Sequence, residues 1–471
     1  MKLKFSRKLR ILTFSLIATL AAIFCLYLYE TKDTRQFEQL SQDLLYTELS
    51  GNTISLHYTL AYPENYGLSA DPILPSSFTD VDTRAQVTEW QRRLSCIDPQ
   101  KLDPQDRYAY LLFDRFLALT LEGSDFTYYT DPLSPSSGMV SGLPVLLADY
   151  TFRTKKDVED YLGILEQTGA YFDALIRYEQ EKSSAGLFMS DTSADNVIEQ
   201  CDSIMDPVLL KDGSHFLQQT FTERLDGLAS DEIITGEEKQ QYIDKNNLLL
   251  TTVMAPAYER VGDAFLVLKG TGTNPYGLCY YPEGKEYYTY LLAQTTGSSR
   301  SIPEIRRLLE KDYQKNFHAL RDLVKDHPGL LKLSPEDFSL SLNMQNSYSD
   351  HPEEPGDTDL PTKPAATSDI LCRLSEAILD DLQKQMKPDF PKLTCIPEAK
   401  AGQEHDGESN SVSCQIKKVS SSMEAYSSPA YYLTPPIDDL WHNTIYLNEP
   451  NITDDLTLYT TLAHEGYPGH L

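Results

Sequence analysis

The chain has 471 residues, 41 basic against 70 acidic, and a formal net charge of −29. Apolar residues make up 41 % and charged residues 24 %, an ordinary globular composition with length enough for a large core. A surface this acidic repels phosphate backbones and anionic lipid heads, which excludes nucleic acid as a partner.

The first 29 residues read as a targeting segment. Lys2, Lys4, Arg7, Lys8 and Arg10 form a basic head over residues 1–10, and residues 11–29 are uncharged and mostly apolar. Nineteen residues at 1.5 Å each span about 28 Å, close to the hydrocarbon thickness of a bilayer. The exit Cys25-Leu26-Tyr27-Leu28-Tyr29 is a poor cleavage site, so the stretch reads as an uncleaved transmembrane anchor. A basic head held in the cytoplasm places the rest on the extracytoplasmic side of the cell membrane, as a single-pass protein. Six cysteines follow the anchor, with no Cys-x-x-Cys pair; Cys395 and Cys414, flanking a polar loop, are the best candidates for a bridge.

Residues 30–345 carry helical periodicity and read as one helical domain. Gln36 to Leu49 suits a first helix. Asp103 and Pro104 open another with Tyr108, Leu112, Phe116 and Leu119 on one face, and Thr154 caps a longer one with the stripe Val158, Leu162, Leu165, Phe172 and Ile176. A long candidate from Glu237 to Leu266 is interrupted at Pro256. Ser301 and Pro303 open a helix whose stripe is Leu309, Tyr313, Leu320 and Val324. The Pro- and Asp-rich residues 346–365 read as a linker or loop.

The last section, 366–471, changes character. After a helix bearing Leu371, Leu374, Ile378 and Leu382 come three short β-prone runs, near 414–419, 430–434 and 444–448. Thr453-Asp454-Asp455 then starts a helix that runs into His464-Glu465-Gly466-Tyr467-Pro468-Gly469-His470. Imidazoles are common zinc ligands, and a carboxylate beside the metal can take a proton from bound water. On a regular helix, six steps turn about 240°, so the two rings would point apart. Pro468 removes the N–H due to the His464 carbonyl, and Gly469 opens the backbone to a bend. By spacing alone the run fits either a bent metal-binding turn or a helix end followed by a loop histidine.

The run Leu462 to Leu471 resembles the signature of bacterial domain-of-unknown-function family 885. Tyr281-Pro282-Glu283-Gly284-Lys285-Glu286-Tyr287-Tyr288, Ser428 to Leu433, Pro435 to Asp439 and Asn443 to Asn448 are similar to the same family. The resemblance implies a zinc metallopeptidase of gluzincin type. It implies Zn2+ on His464 and His470, Glu465 as the catalytic base, and a third ligand from a segment beyond Leu471. This chain is thus expected to be a truncated member, with the C-terminal part of its catalytic region absent. The expected architecture is mainly α: an anchor, a large helical array, and a small β element beside a metal-site helix, zincin-like but incomplete. Tyr431, Tyr432, Asn443 and Tyr446 are the side chains expected near a peptide substrate held along a strand edge. His442, Asp438 and Glu449 are possible substitutes for the third ligand. A catalytically silent extracellular binding protein and a metal-dependent hydrolase of a non-peptide substrate remain the alternatives, and the oligomeric state is open.

Overall fold

The computed structural model describes residues 31–332 apart from 69–70, 79–80, 136 and 273–276. It also describes 334, 367–388, 390, 413–419, 424, 428–440 and 442–470. The expected anchor at 11–29, the expected linker at 346–365 and Cys395 lie outside these residues. Among the described residues no helix is long and apolar enough to cross a membrane, and Cys414 carries a free thiol.

Among the described residues, thirteen α-helices of the helical body follow one another. They are α1 (Lys32–Ser50), α2 (Thr53–Thr59), α3 (Val81–Ser95), α4 (Pro104–Gly123), α5 (Met139–Ala148), α6 (Lys155–Ser184), α7 (Asp191–Ile204), α8 (Pro207–Asp212), α9 (Phe216–Ser230), α10 (Gly236–Leu249), α11 (Ala255–Leu268), α12 (Gly284–Thr296) and α13 (Ile302–Asp326). Their starts are written locally. The Asp103 carboxylate accepts from the N–H groups of Gln105 and Asp106. Thr154 with Asp157 and Ser301 with Glu304 form reciprocal capping boxes. Helix α6 is the axis of the main core: Val158, Leu162, Leu165 and Phe172 are buried on α7, α9 and α11 residues such as Val197, Phe221 and Tyr258. The interruption expected at Pro256 is a wide turn, not a break. Residues Leu250–Met254 form a π-helical segment in which the Ala255 N–H reaches back to the Leu250 carbonyl, so the chain passes the proline without ending the helix.

Two expected stripes are corrected. On α4, Tyr108, Leu112 and Phe116 are exposed, at 64 %, 52 % and 46 %, and only Leu119 is buried. The packed face is turned away from that stripe, where Tyr110, Phe113 and Leu117 meet Phe37 and Leu40 of α1 and Trp90 and Leu94 of α3. On α13 no residue is buried, and Leu309, Tyr313 and Leu320 face solvent. Its periodicity predicted a covered face, but no described element packs over it.

The last section forms a small second layer. Helix α14 (Thr367–Met386) lies against a three-stranded sheet of β1 (Ser413–Lys418), β2 (Ala430–Leu433) and β3 (His442–Leu447), followed by α15 (Asp455–Glu465). The strand order is β1-β3-β2, with β1 parallel and β2 antiparallel to β3. Ile416, Ile445 and Leu447 on one sheet face pack with Ile378, Leu379 and Leu382 of α14 and Leu458 and Leu462 of α15. The other face turns Tyr446 and Tyr431 toward the main core. A strap fastens this layer to the body: the Asp438 carboxylate accepts from the N–H groups of Ala61 and Tyr62 at 2.6 and 3.0 Å, and the Ile437 N–H donates to the Thr59 carbonyl.

Candidate metal centre

Helix α15 is fixed before it delivers its end. The Asp454 carboxylate accepts from the Thr457 N–H at 2.8 Å, and Leu458 and Leu462 are buried between α14 and the sheet. The helix stops at Glu465. Gly466 packs closely on Leu379: a Cβ there would lie 2.3 Å from Leu379 Cδ2 and 2.9 Å from the Leu462 carbonyl, so Leu379 would have to shift. The Tyr467–Pro468 peptide bond is cis. The Gly469 N–H then reaches the Ala463 carbonyl at 3.0 Å and the His470 N–H the His464 carbonyl at 3.1 Å. Each bond joins residues six apart. The carbonyl that Pro468 would leave unpaired is thus taken by His470, and the backbone of Gly469 passes so close to that carbonyl that a Cβ would lie 1.7 Å from it.

This closure brings the two imidazoles together. Their ring centres are 5.1 Å apart and their planes meet at 85°, and both side chains are exposed. Two imidazoles bound to one tetrahedral zinc, at Zn–N near 2.0 Å, also place their ring centres about 5 Å apart. The half-buried Glu465 directs Oε2 to the backbone N–H of Tyr432 at 2.9 Å. The donor pair therefore suits zinc, but it is incomplete: among the described residues no group of three or more His, Cys, Asp or Glu side chains is arranged to hold an ion.

The family model described as "Bacterial protein of unknown function (DUF885)" matches residues 74–471. The chain belongs to this family. A solved structure, "the putative lipoprotein from Colwellia psychrerythraea", is similar at 16 % identity with a TM-score of 0.66, over 94 % of this chain and 71 % of that one. At that identity the likeness concerns the fold. No curated protein matches.

Of the substitutes for a third ligand in this DUF885 member, Asp438 and Glu449 are engaged elsewhere and His442 is held through one ring nitrogen. Asp438 holds the strap to α2, His442 Nδ1 lies 2.8 Å from Asp439 Oδ1, and Glu449 pairs with Lys418. The four expected substrate residues divide between two sheet faces, because side chains alternate along a strand. Tyr432 and Asn443 belong to the histidine face. The Tyr432 ring is parallel to that of His470 with centres 6.0 Å apart, and its hydroxyl donates to Asn443 Oδ1 at 2.7 Å. Asn443 is buried and also donates to the Leu440 carbonyl. Tyr431 and Tyr446, which pair across β2 and β3 and stack at 4.9 Å, face the opposite way. They are not brought to the histidines.

Behind the sheet they meet groups that no motif marked. The hydroxyls of Tyr446 and Tyr431 lie within reach of Asp149, whose carboxyl burial pushes up despite those hydroxyls and the nearby Lys417 and Arg224. Burial and the Asp149 charge raise both tyrosine pKa values. Arg224 donates to the carbonyls of Thr220, Leu147 and Tyr150, closing the end of α5, and its guanidinium lies over the Phe152 ring at 4.4 Å.

Proposed function

We propose that this chain is a zinc-dependent hydrolase of peptide bonds, anchored at the cell membrane by residues 11–29 with the bulk of its mass outside. The observation that carries the reading is the convergence of His464 and His470 beside Glu465, at the free edge of β2. His464 and His470 would hold the ion, together with a third ligand that none of the described residues supplies. Bound zinc supplies a Lewis acid and lowers the pKa of a water molecule.

The remaining chemistry falls to the chain's own groups. Among the described residues β2 is an edge strand, and an extended peptide can add to such an edge through its main chain. The Tyr432 N–H points out of that edge and is occupied by Glu465. A peptide carbonyl docking there competes for the N–H and frees the carboxylate to accept a proton from water. Tyr432 and Asn443, tied to each other, shape the wall beside His470.

The test is metal analysis of the detergent-solubilised full chain after zinc loading and dialysis, followed by a peptide-library digest with and without chelator. About one zinc per chain is expected, lost in His464→Ala, with chelator-sensitive cleavage. Absence of retained zinc, or cleavage indifferent to chelator, overturns the reading.

A further inference from the structure

The back of the sheet does not close flat on the helical body. Between them lies a cavity of about 700 Å³, within the range of small-molecule sites. Its walls come from α5 and the residues after it (Phe152 and Asp149), Arg224 on α9, and Lys417, Tyr431 and Tyr446 on the sheet, with Cys372 of α14 at one side. It is a different chamber from the histidine turn, which occupies the other sheet face.

Charge selects the class of ligand. Arg224 and Lys417 line the cavity from the body and the sheet respectively, and Asp149 is the buried acid on which both charges act. The Arg224 guanidinium lies against two aromatic rings; three carbonyls take its Nε and Nη1, but its Nη2 has no hydrogen-bond partner and its charge is costly to bury without a counter-charge. Asp149 compensates poorly, because its burial favours the neutral acid. One of its oxygens, Oδ2, and the neighbouring Thr220 Oγ1 have no hydrogen-bond partner. The exposed carboxylate of Glu223 also lines the cavity and opposes a second negative charge on a ligand. The Phe152, Tyr431 and Tyr446 rings offer flat apolar walls.

From this arrangement we infer that the chamber between the sheet and the helical body binds a small organic monoanion, a carboxylic acid carrying an aromatic or apolar group, with its carboxylate between Arg224 and Lys417. The site stands independently of the hydrolytic reading.

The experiment is calorimetric titration of the zinc-free full chain with N-acetylphenylalanine and, separately, with its uncharged amide. The acid should bind at least about tenfold more tightly than the amide, because only the acid forms charge-assisted hydrogen bonds. Lys417→Gln, an exposed position that folding tolerates, should weaken the acid about threefold or more. His464→Ala should leave its affinity unchanged. Equal binding of acid and amide, or no binding of either up to about 10 mM, overturns the proposal. So does an acid affinity that survives Lys417→Gln or vanishes with His464→Ala.

Discussion

Tyr431 and Tyr432 are neighbours in the chain and serve opposite sides of one sheet: the first stacks on Tyr446 beside Asp149, the second lies parallel to His470 and bonds Asn443. The two phenol groups should therefore separate in experiment. Tyr432→Phe removes the hydroxyl's bond to the buried Asn443 Oδ1 and should cost about 1 kcal/mol of stability, with a fall in chelator-sensitive peptide cleavage. Tyr431→Phe should cost a comparable amount and leave cleavage unchanged. Denaturant curves and the peptide digest, run on both variants, check the pair.

Gly469 is the residue that lets the turn close. A methyl group there meets the His464 carbonyl at 1.7 Å and the Ala463 carbonyl at 2.9 Å, so both six-residue hydrogen bonds must open. Gly469→Ala should weaken zinc binding by more than about tenfold, since one of the two imidazoles is lost to the site. Thermal stability should change less than zinc affinity, because Gly469 and His470 are exposed, while Tyr467 earlier in the turn keeps its packing on the cluster of α14, α15 and the sheet. Zinc titration and a melting curve, measured together, decide the matter.

Asp438 is a fastener, not a ligand. Its carboxylate takes two backbone N–H groups from the end of α2. Asp438→Asn should destabilise by about 2 kcal/mol, the scale of hydrogen bonds to a charged acceptor, with zinc stoichiometry unchanged.

His57 makes stability fall in acid. It stacks on Tyr150 with ring centres 3.5 Å apart and accepts the Thr151 N–H at 3.0 Å, and burial, with Arg153 and Arg224 nearby, pushes its pKa down to about 3. The unfolded chain binds this proton below 6.5 and the folded one does not. Stability should drop as pH falls from 6.5 toward 3, by about 1.4 kcal/mol per pH unit for this one proton. Unfolding of His57→Gln across that window should show the slope reduced by that amount.

Glu179 acts from the other side. It is fully buried, neither carboxyl oxygen has a hydrogen-bond partner, and burial raises its pKa to about 7 against the attraction of Lys182. Above an unfolded value near 4.5 the unfolded chain releases the proton while the folded chain keeps it. The stability present below 4.5 is therefore lost as pH rises through 7. Glu179→Gln should match the parent near pH 4.5 and exceed it above pH 7, by on the order of 3 kcal/mol, as read from denaturant midpoints at the two pH values.

Features set by a few adjacent residues were legible in the sequence. The caps at Asp103, Thr154 and Ser301 and the helix start at Thr453-Asp454-Asp455 are local chemistry; the Pro-Gly run marked a break after His464, but its spacing left open whether His470 turned back to His464 or ended in a loop. The three strands were visible from their tyrosine- and branched-residue runs. What escaped depends on parity and distance. Strand alternation separates Tyr431 from Tyr432, but only the position of α15 tells which of them sees the histidines. The exposed stripes of α4 and α13 carry the same periodicity as buried ones, since spacing describes a face and says nothing of what covers it. Asp149 and Arg224 meet across 75 residues with no motif at either end, and only the folded chain joins them.

The sheet acts as a partition whose two chambers are assigned by odd and even positions. A single residue inserted between Pro429 and Ala430 would slip the frame of β2 against β3 and exchange the contents of both rooms at once. Tyr431 would then face the imidazoles, Tyr432 would be driven into the space beside Asp149, and Glu465 would lose the amide that now holds it. Length in this four-residue strand is thus as tightly specified as identity.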